Sequence, residues 1–134
     1  MAKRQESDPQ FEISFYEKVL QRSPDFIEAL MCLGDLYTKA GLFEKGLRVD
    51  ERLARLRPGE AIVFYNLACS YSLMEDGHAA EGAIRRAIEL GYEDFEYLIK
   101  DPDLINLLNS DRFHVYLREL RARVRQRDCQ EETA

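Results

Sequence analysis

The side chains able to carry chemistry are few and scattered. The histidines are His78 and His114, the cysteines are Cys32, Cys69 and Cys129, and the clearest paired acids are Glu75-Asp76 and Asp101 with Asp103. A general base, a thiolate nucleophile or a metal ligand set needs such groups to converge, with a stabiliser for the charge that develops. No spacing in the chain supplies that. His78 falls in a turn and His114 on the last helix, so both read as surface residues. Nothing flanking Cys69 offers a cation or a helix start to favour its thiolate, and it reads as a small buried thiol. Three cysteines, far apart and without a Cys-x-x-Cys pair, predict neither a disulfide framework nor a zinc site and fit a reducing, cytoplasmic setting. The paired acids fall in turns and helix starts, where carboxylates cap free amides. Calcium-loop spacing and glycine-rich phosphate loops are absent from the sequence. The chain is therefore expected to be no enzyme and to hold no metal or cofactor.

Charge narrows the field further. A formal net charge of -6 argues against nucleic acid or anionic membrane as a partner, because both are bound by neutralising phosphates with basic surface. The one basic concentration, Arg118 to Arg127, reads as the solvated face of a helix. Met1 to Glu6 are polar and lead into no apolar core, so no signal peptide is expected. The most apolar run, Ala61 to Tyr71, is interrupted by Asn66 and is shorter than the roughly 20 residues a membrane helix needs. With 134 residues, 46% hydrophobic and 33% charged, the chain reads as one soluble domain, 1–134.

Helical spacing accounts for nearly all of it. Asp8-Pro9 opens a helix whose stripe is Ile13, Tyr16, Val19 and Leu20, ending at Ser23-Pro24. The next carries Phe26, Leu30, Leu33, Leu36 and Tyr37 as far as Gly41. A third, from about Phe43 to Arg57, turns Leu47, Val49, Leu53 and Leu56 inward before Pro58-Gly59 breaks it. The fourth, from Ala61 to Met74, buries Phe64, Leu67, Ala68 and Tyr71, and the fifth packs through Ala80, Ala83, Ala87 and Ile88 and ends at Leu90-Gly91. Asp101-Pro102 then interrupts any sixth long helix, predicting short turns over 94–99 and 102–108. A last helix from about Asp111 carries Phe113, Leu117, Leu120 and Val124 on one stripe and Arg118, Arg121 and Arg125 on another.

Sliding the chain by 34 residues lays Leu30, Leu33, Gly34 and Tyr37 on Phe64, Leu67, Ala68 and Tyr71. These residues resemble the tetratricopeptide repeat (TPR) family, whose 34-residue helix-turn-helix unit carries Trp-x-x-Leu-Gly-x-x-Tyr, then small, aromatic and small positions, then Pro. The family positions are filled by Leu30, Leu33, Gly34, Tyr37, Gly46, Asp50, Leu53 and Pro58 in one unit, and by Phe64, Leu67, Ala68, Tyr71, Ala80, Ile84 and Ala87 in the next. Phe11 to Pro24 resembles the second helix of a preceding unit, and Ala87 to Phe113 is similar to closing segments of small bacterial members. The resemblance implies an all-α, right-handed stack of antiparallel helix hairpins. Its parts would be an N-terminal helix (8–23), two full repeats (24–58 and 59–92), a closing segment with a capping helix (93–127) and a disordered tail (128–134). Two departures carry expectations of their own. Asp50 stands at an aromatic position and is expected to face solvent or pair with Arg48 or Arg52, since a buried unpaired carboxylate is costly. Leu53-Ala54 inverts the usual size order, predicting a slightly rotated third helix.

In the family the first helix of each unit lines a concave groove, which here implies Glu28, Met31, Asp35, Thr38 and Lys39, then Ile62, Tyr65, Cys69, Ser72 and Leu73. Asn66 resembles the frequent groove asparagine, whose amide both donates to and accepts from a peptide backbone. The implied function is a protein-interaction adapter or scaffold. Its partner would be a peptide or helix with an apolar anchor near Tyr65 and Met31 and a basic residue near Glu28 and Asp35. Members that grip acidic chaperone tails use a clamp of lysine, asparagine and arginine. Only Asn66 agrees with that clamp, so such tails are not expected. In a stack this short, the N-terminal helix or the closing segment could instead cover Tyr65 and Ile62. The alternative role is a self-associating structural subunit, a homodimer through the groove or the end helices.

Overall fold

Helix boundaries recur at an interval of 34 residues. In the computed structural model, which describes residues 8–133, α1 (Pro9–Arg22) is followed by α2 (Ile27–Lys39), α3 (Phe43–Leu56), α4 (Ala61–Leu73) and α5 (Gly77–Glu89). Pro9 precedes Phe43, Ile27 precedes Ala61 and Phe43 precedes Gly77 by that interval, so α1 stands in the register of α3 and α5. The connections repeat as well. Ser23 and Arg57 end their helices at φ −132°, with ψ 78° and 65°, and Phe26 and Glu60 lead into the next at ψ 102° and 116°. Phe26 therefore caps α2 rather than joining its apolar stripe, and it is exposed.

The turn after α2 needs a left-handed residue, and Gly41 supplies it at φ +78°. The amides of Gly41 and Leu42 donate back to the carbonyls of Thr38 and Tyr37, at 3.1 and 2.8 Å. One interval on, Glu75 occupies the same place at φ +61°, and the amides of Glu75 and Asp76 repeat the two bonds to Ser72 and Tyr71 at 3.0 and 2.9 Å. A side chain there costs roughly 1 kcal/mol, so packing of the repeat, not local preference, imposes the turn.

Each of the first four helices packs on the next, and the chain then folds back. α6 (Phe95–Leu98), a 3₁₀ turn (Pro102–Leu104) and α7 (Ile105–Leu108) lead to α8 (Asp111–Thr133), with the 3₁₀ turn and α7 seated on α4. No strand occurs among the described residues. The main core joins Leu67, Ala68, Ile84 and Ala87 to Leu98, Leu104, Leu107, Phe113 and Leu117, while a smaller one holds Leu30, Leu53 and Val63. α1 contributes no buried residue, and Phe11 and Phe15 stand 69% and 53% exposed at the open end.

Several expectations are corrected. Asp50 is buried, 6% exposed, and its Oδ2 accepts from Ser70 Oγ at 2.5 Å. Arg52 pairs instead with Asp25 (2.6 Å), and Arg48 with Glu44 (2.7 Å). Room for the carboxylate comes from Gly34, where a β-carbon would stand 3.2 Å from Asp50 Oδ1 and 3.3 Å from a Val49 methyl. α3 is not rotated, because its buried Gly46, Asp50 and Leu53 match Ala80, Ile84 and Ala87 of α5. Residues 128–133, expected as a disordered tail, continue α8. His78, expected in the turn before the fifth helix, lies in the first turn of α5 itself. Met1 to Glu6, read for a signal peptide, and Ala134 lie outside the described residues.

Candidate functional site

A groove of about 450 Å³ opens between α2, α4 and the closing segment. Of the residues implied by the family, Met31, Asp35, Thr38, Ile62, Tyr65, Asn66 and Cys69 line it. Glu28, Lys39, Ser72 and Leu73 do not. Lys39 pairs with Asp35 at 2.8 Å and faces a second hollow between α1 and α2, where Phe11, Phe15, Tyr16 and Leu36 lie. Ser72 is fully buried, and its carbonyl accepts from Asn106 Nδ2 at 2.7 Å.

The closing segment supplies a wall that sequence reasoning missed: Tyr92, Asp94, Tyr97, Asp101 and Asp103. It also covers Tyr65, as a stack this short allows, and Cys69, the small buried thiol expected, while Ile62 stays 47% exposed. Tyr65, 4% exposed, stacks on Tyr92 with ring centres 4.5 Å apart, and its hydroxyl donates to Asp101 Oδ2 at 2.6 Å. The Cys69 thiol reaches the same oxygen at 3.7 Å. Asp101 Oδ1 accepts from the Asp103 amide at 3.0 Å, so one buried carboxylate both starts the 3₁₀ turn and ties it to α4. Asp101-Pro102 signalled the cap in the sequence, but a tie to Tyr65 across 36 residues leaves no local signal.

Burial dominates the electrostatics. It pushes the Tyr65 phenol far above its ordinary range, reinforced by the bond to Asp101, and raises the Cys69 thiol, with Asp101 adding to it. Asp50 is pushed up to about 6 by burial, against the opposing Ser70 bond. Asp103 is also raised, by burial and then by Asp101 and Asp35. Donor atoms of Cys69, Asp101 and Asp103 lie within 4.8 Å of one another, the spacing of a metal site. Asp101 accepts from the Tyr65 hydroxyl, the Cys69 thiol and the Asp103 amide, so these three groups are tied together through its carboxylate. The histidines do not join it: His78 is exposed on α5, and His114 Nε2 bonds the Leu108 carbonyl beside α8.

No family model matches the chain. It is similar to a chloroplastic protein of Arabidopsis thaliana, 34% identical over 106 residues, which cover 77% of this chain and 30% of that protein. It is also similar to the Protein CTR9 homolog of the same plant, 38% identical over 72 residues, 54% of this chain and 6% of that one. The chain thus spans less than a third of either relative. These similarities accord with the helical-repeat architecture that the 34-residue register displays. Among the described residues no helix is long and apolar enough to cross a membrane.

Proposed function

We propose that this chain is a tetratricopeptide-like interaction module, a right-handed stack of helix hairpins that holds a partner's segment in the groove between α2, α4 and the closing segment. The supporting observation is the groove itself. Met31, Ile62 and Asn66 line one side and Tyr92 and Tyr97 the other, all set on packed helices or short turns. A site formed in advance loses less entropy when a segment docks. A surface this short should bind with an affinity on the order of micromolar. No catalytic step is assigned, since the histidines lie outside the groove and the Cys69 thiol is held protonated. Nucleic acid and membrane are not partners in this reading. We place the protein in the cytoplasm on its sequence, whose three cysteines are odd in number, far apart and without a Cys-x-x-Cys pair; fractionation of the native cell tests that compartment against the chloroplast named for one relative.

Cross-linking pull-down from the native cell tests the groove, with a Met31→Arg/Asn66→Ala double variant as control. A partner captured by the native chain and lost with the variant, at unchanged helical content, is expected. Equal capture by both chains removes the groove as the binding site.

A second reading is favoured by the open end of the stack. Phe11 and Phe15 on α1 stand exposed over the hollow between α1 and α2, and pairing of two chains there would cover them. Sedimentation separates the two readings, since a mass independent of concentration ends the homodimer.

A further inference from the structure

Asp35, Asp50, Asp94, Asp101 and Asp103 line the groove, and no lysine, arginine or histidine does. Asp35 has Lys39 as its counter-ion. Among the described residues, Asp50, Asp94, Asp101 and Asp103 have no ion pair with a cationic side chain. Asp101 is satisfied by three donors. Asp50 has a single donor: the residue is more than nine-tenths buried, Ser70 occupies its Oδ2, and its Oδ1, which is not closed off from solvent, borders the groove. A carboxylate taken out of water without a counter-charge is costly, and a cation arriving beside it recovers part of that cost. Burial and the neighbouring carboxylates raise Asp103 too, the mark of negative charge crowded without compensation.

The aromatic wall adds a second kind of complementarity. Tyr97 is 53% exposed at the groove, tilted against Tyr65 with centres 6.3 Å apart, and Tyr65 in turn stacks on Tyr92. Exposed tyrosine faces attract guanidinium and ammonium groups, and they pack the methylene stems of arginine and lysine.

We infer that the groove selects a basic segment of its partner, with an arginine or lysine seated against Tyr97 and its charged head among Asp35, Asp50, Asp94 and Asp103. This deepens the groove reading above and rests on it. The cationic subsite lies at the closing-segment wall, a different place from the Glu28 and Asp35 end implied by the family resemblance.

The test uses the full chain and three fluorescent ten-residue peptides of equal apolar content, in which the variable positions are arginine, glutamine or glutamate, followed by anisotropy at low and physiological salt. The arginine peptide should bind at least about tenfold more tightly than the glutamine peptide, the glutamate peptide weakest, with the advantage shrinking as salt rises. An Asp94→Asn/Asp103→Asn variant should lose about tenfold for the arginine peptide and little for the glutamine peptide. Asparagine keeps the cap that Asp94 gives the Tyr97 amide, so α6 is retained, and circular dichroism confirms the fold. Equal binding of the arginine and glutamine peptides, or an unchanged double variant, overturns the charge selection and leaves the groove reading standing. If no peptide binds, the charge selection falls; if the Met31→Arg/Asn66→Ala pull-down also shows no difference, the groove reading falls with it.

Discussion

The helix pairs α2–α3 and α4–α5 share boundaries and connection angles, yet the faces that α2 and α4 turn toward the groove differ. Met31 and Asp35 of the first border an open groove, while Tyr65 and Cys69, at the same positions of the second, are buried beneath the closing segment. Position within a unit therefore decides which way a side chain points, and whatever lies at the end of the stack decides whether water reaches it. α4 is the consequence: Val63, Tyr65, Leu67, Ala68, Cys69, Ser70 and Ser72 are all buried, because α3, α5 and the closing segment surround it. α1 is the converse, with no buried residue and nothing packed on its outer face among the described residues.

The contrast is broken most directly at Tyr65. Tyr65→Ala should destabilise the protein by about 3–5 kcal/mol, the cost of a buried aromatic, whereas Met31→Ala at the half-buried equivalent should cost less than half as much. Urea midpoints at matched slope measure both, and equal losses would mean the closing segment does not distinguish the repeats. Interior positions should show no such asymmetry. Leu33→Ala and Leu67→Ala, both buried, should each cost roughly 2–5 kcal/mol, and a stable variant of either would refute the shared register.

Asp50 sharpens the contrast inside the core, since its equivalent in the second repeat is the buried Ile84. Its pKa is raised above that of the unfolded chain to about 6, so its contribution is fully present below about pH 4 and is lost as pH rises through 6. Asp50→Asn should thus stabilise the protein by about 1–3 kcal/mol at pH 7, with the gain vanishing near pH 4. Asparagine can still accept from Ser70. Thermal unfolding across that range measures the difference, and a loss of stability at pH 7 would contradict the assignment.

The smallest effect lies in the turns. Glu75→Gly should stabilise by about 0.5–1 kcal/mol, and Gly41→Ala should destabilise by a similar amount, because the two turns have the same left-handed conformation and opposite residue choices. Unfolding midpoints that leave Glu75→Gly no more stable than the native chain would show that the second turn does not carry this strain.

Much of the fold is legible in the residue order. Asp8-Pro9, Gly41 and Asp101-Pro102 mark helix ends with their own capping chemistry, and the match of Leu33, Gly34 and Tyr37 to Leu67, Ala68 and Tyr71 carries the register. Local signals of this kind survive because caps and helical faces depend on residues within about one or two turns of each other. The candidate site was only half legible. Met31, Asp35 and Asn66 are what the family resemblance implies, but Tyr97, Asp94 and Asp103 enter the groove through a segment that breaks the repeat.

By itself, then, the order of residues determined the all-helical class, the 34-residue interval and most of the apolar positions that α2, α3 and α5 bury, since all three follow from periodicity and capping. Only the tertiary structure decided that Asp50 is buried against Gly34 with Ser70 as its donor, and that Tyr65 is tied to Asp101 and removed from the open face. Those outcomes depend on groups 16 to 36 residues apart meeting in space, where the missing β-carbon of Gly34 makes room for the Asp50 carboxylate and a returning chain replaces water over Tyr65.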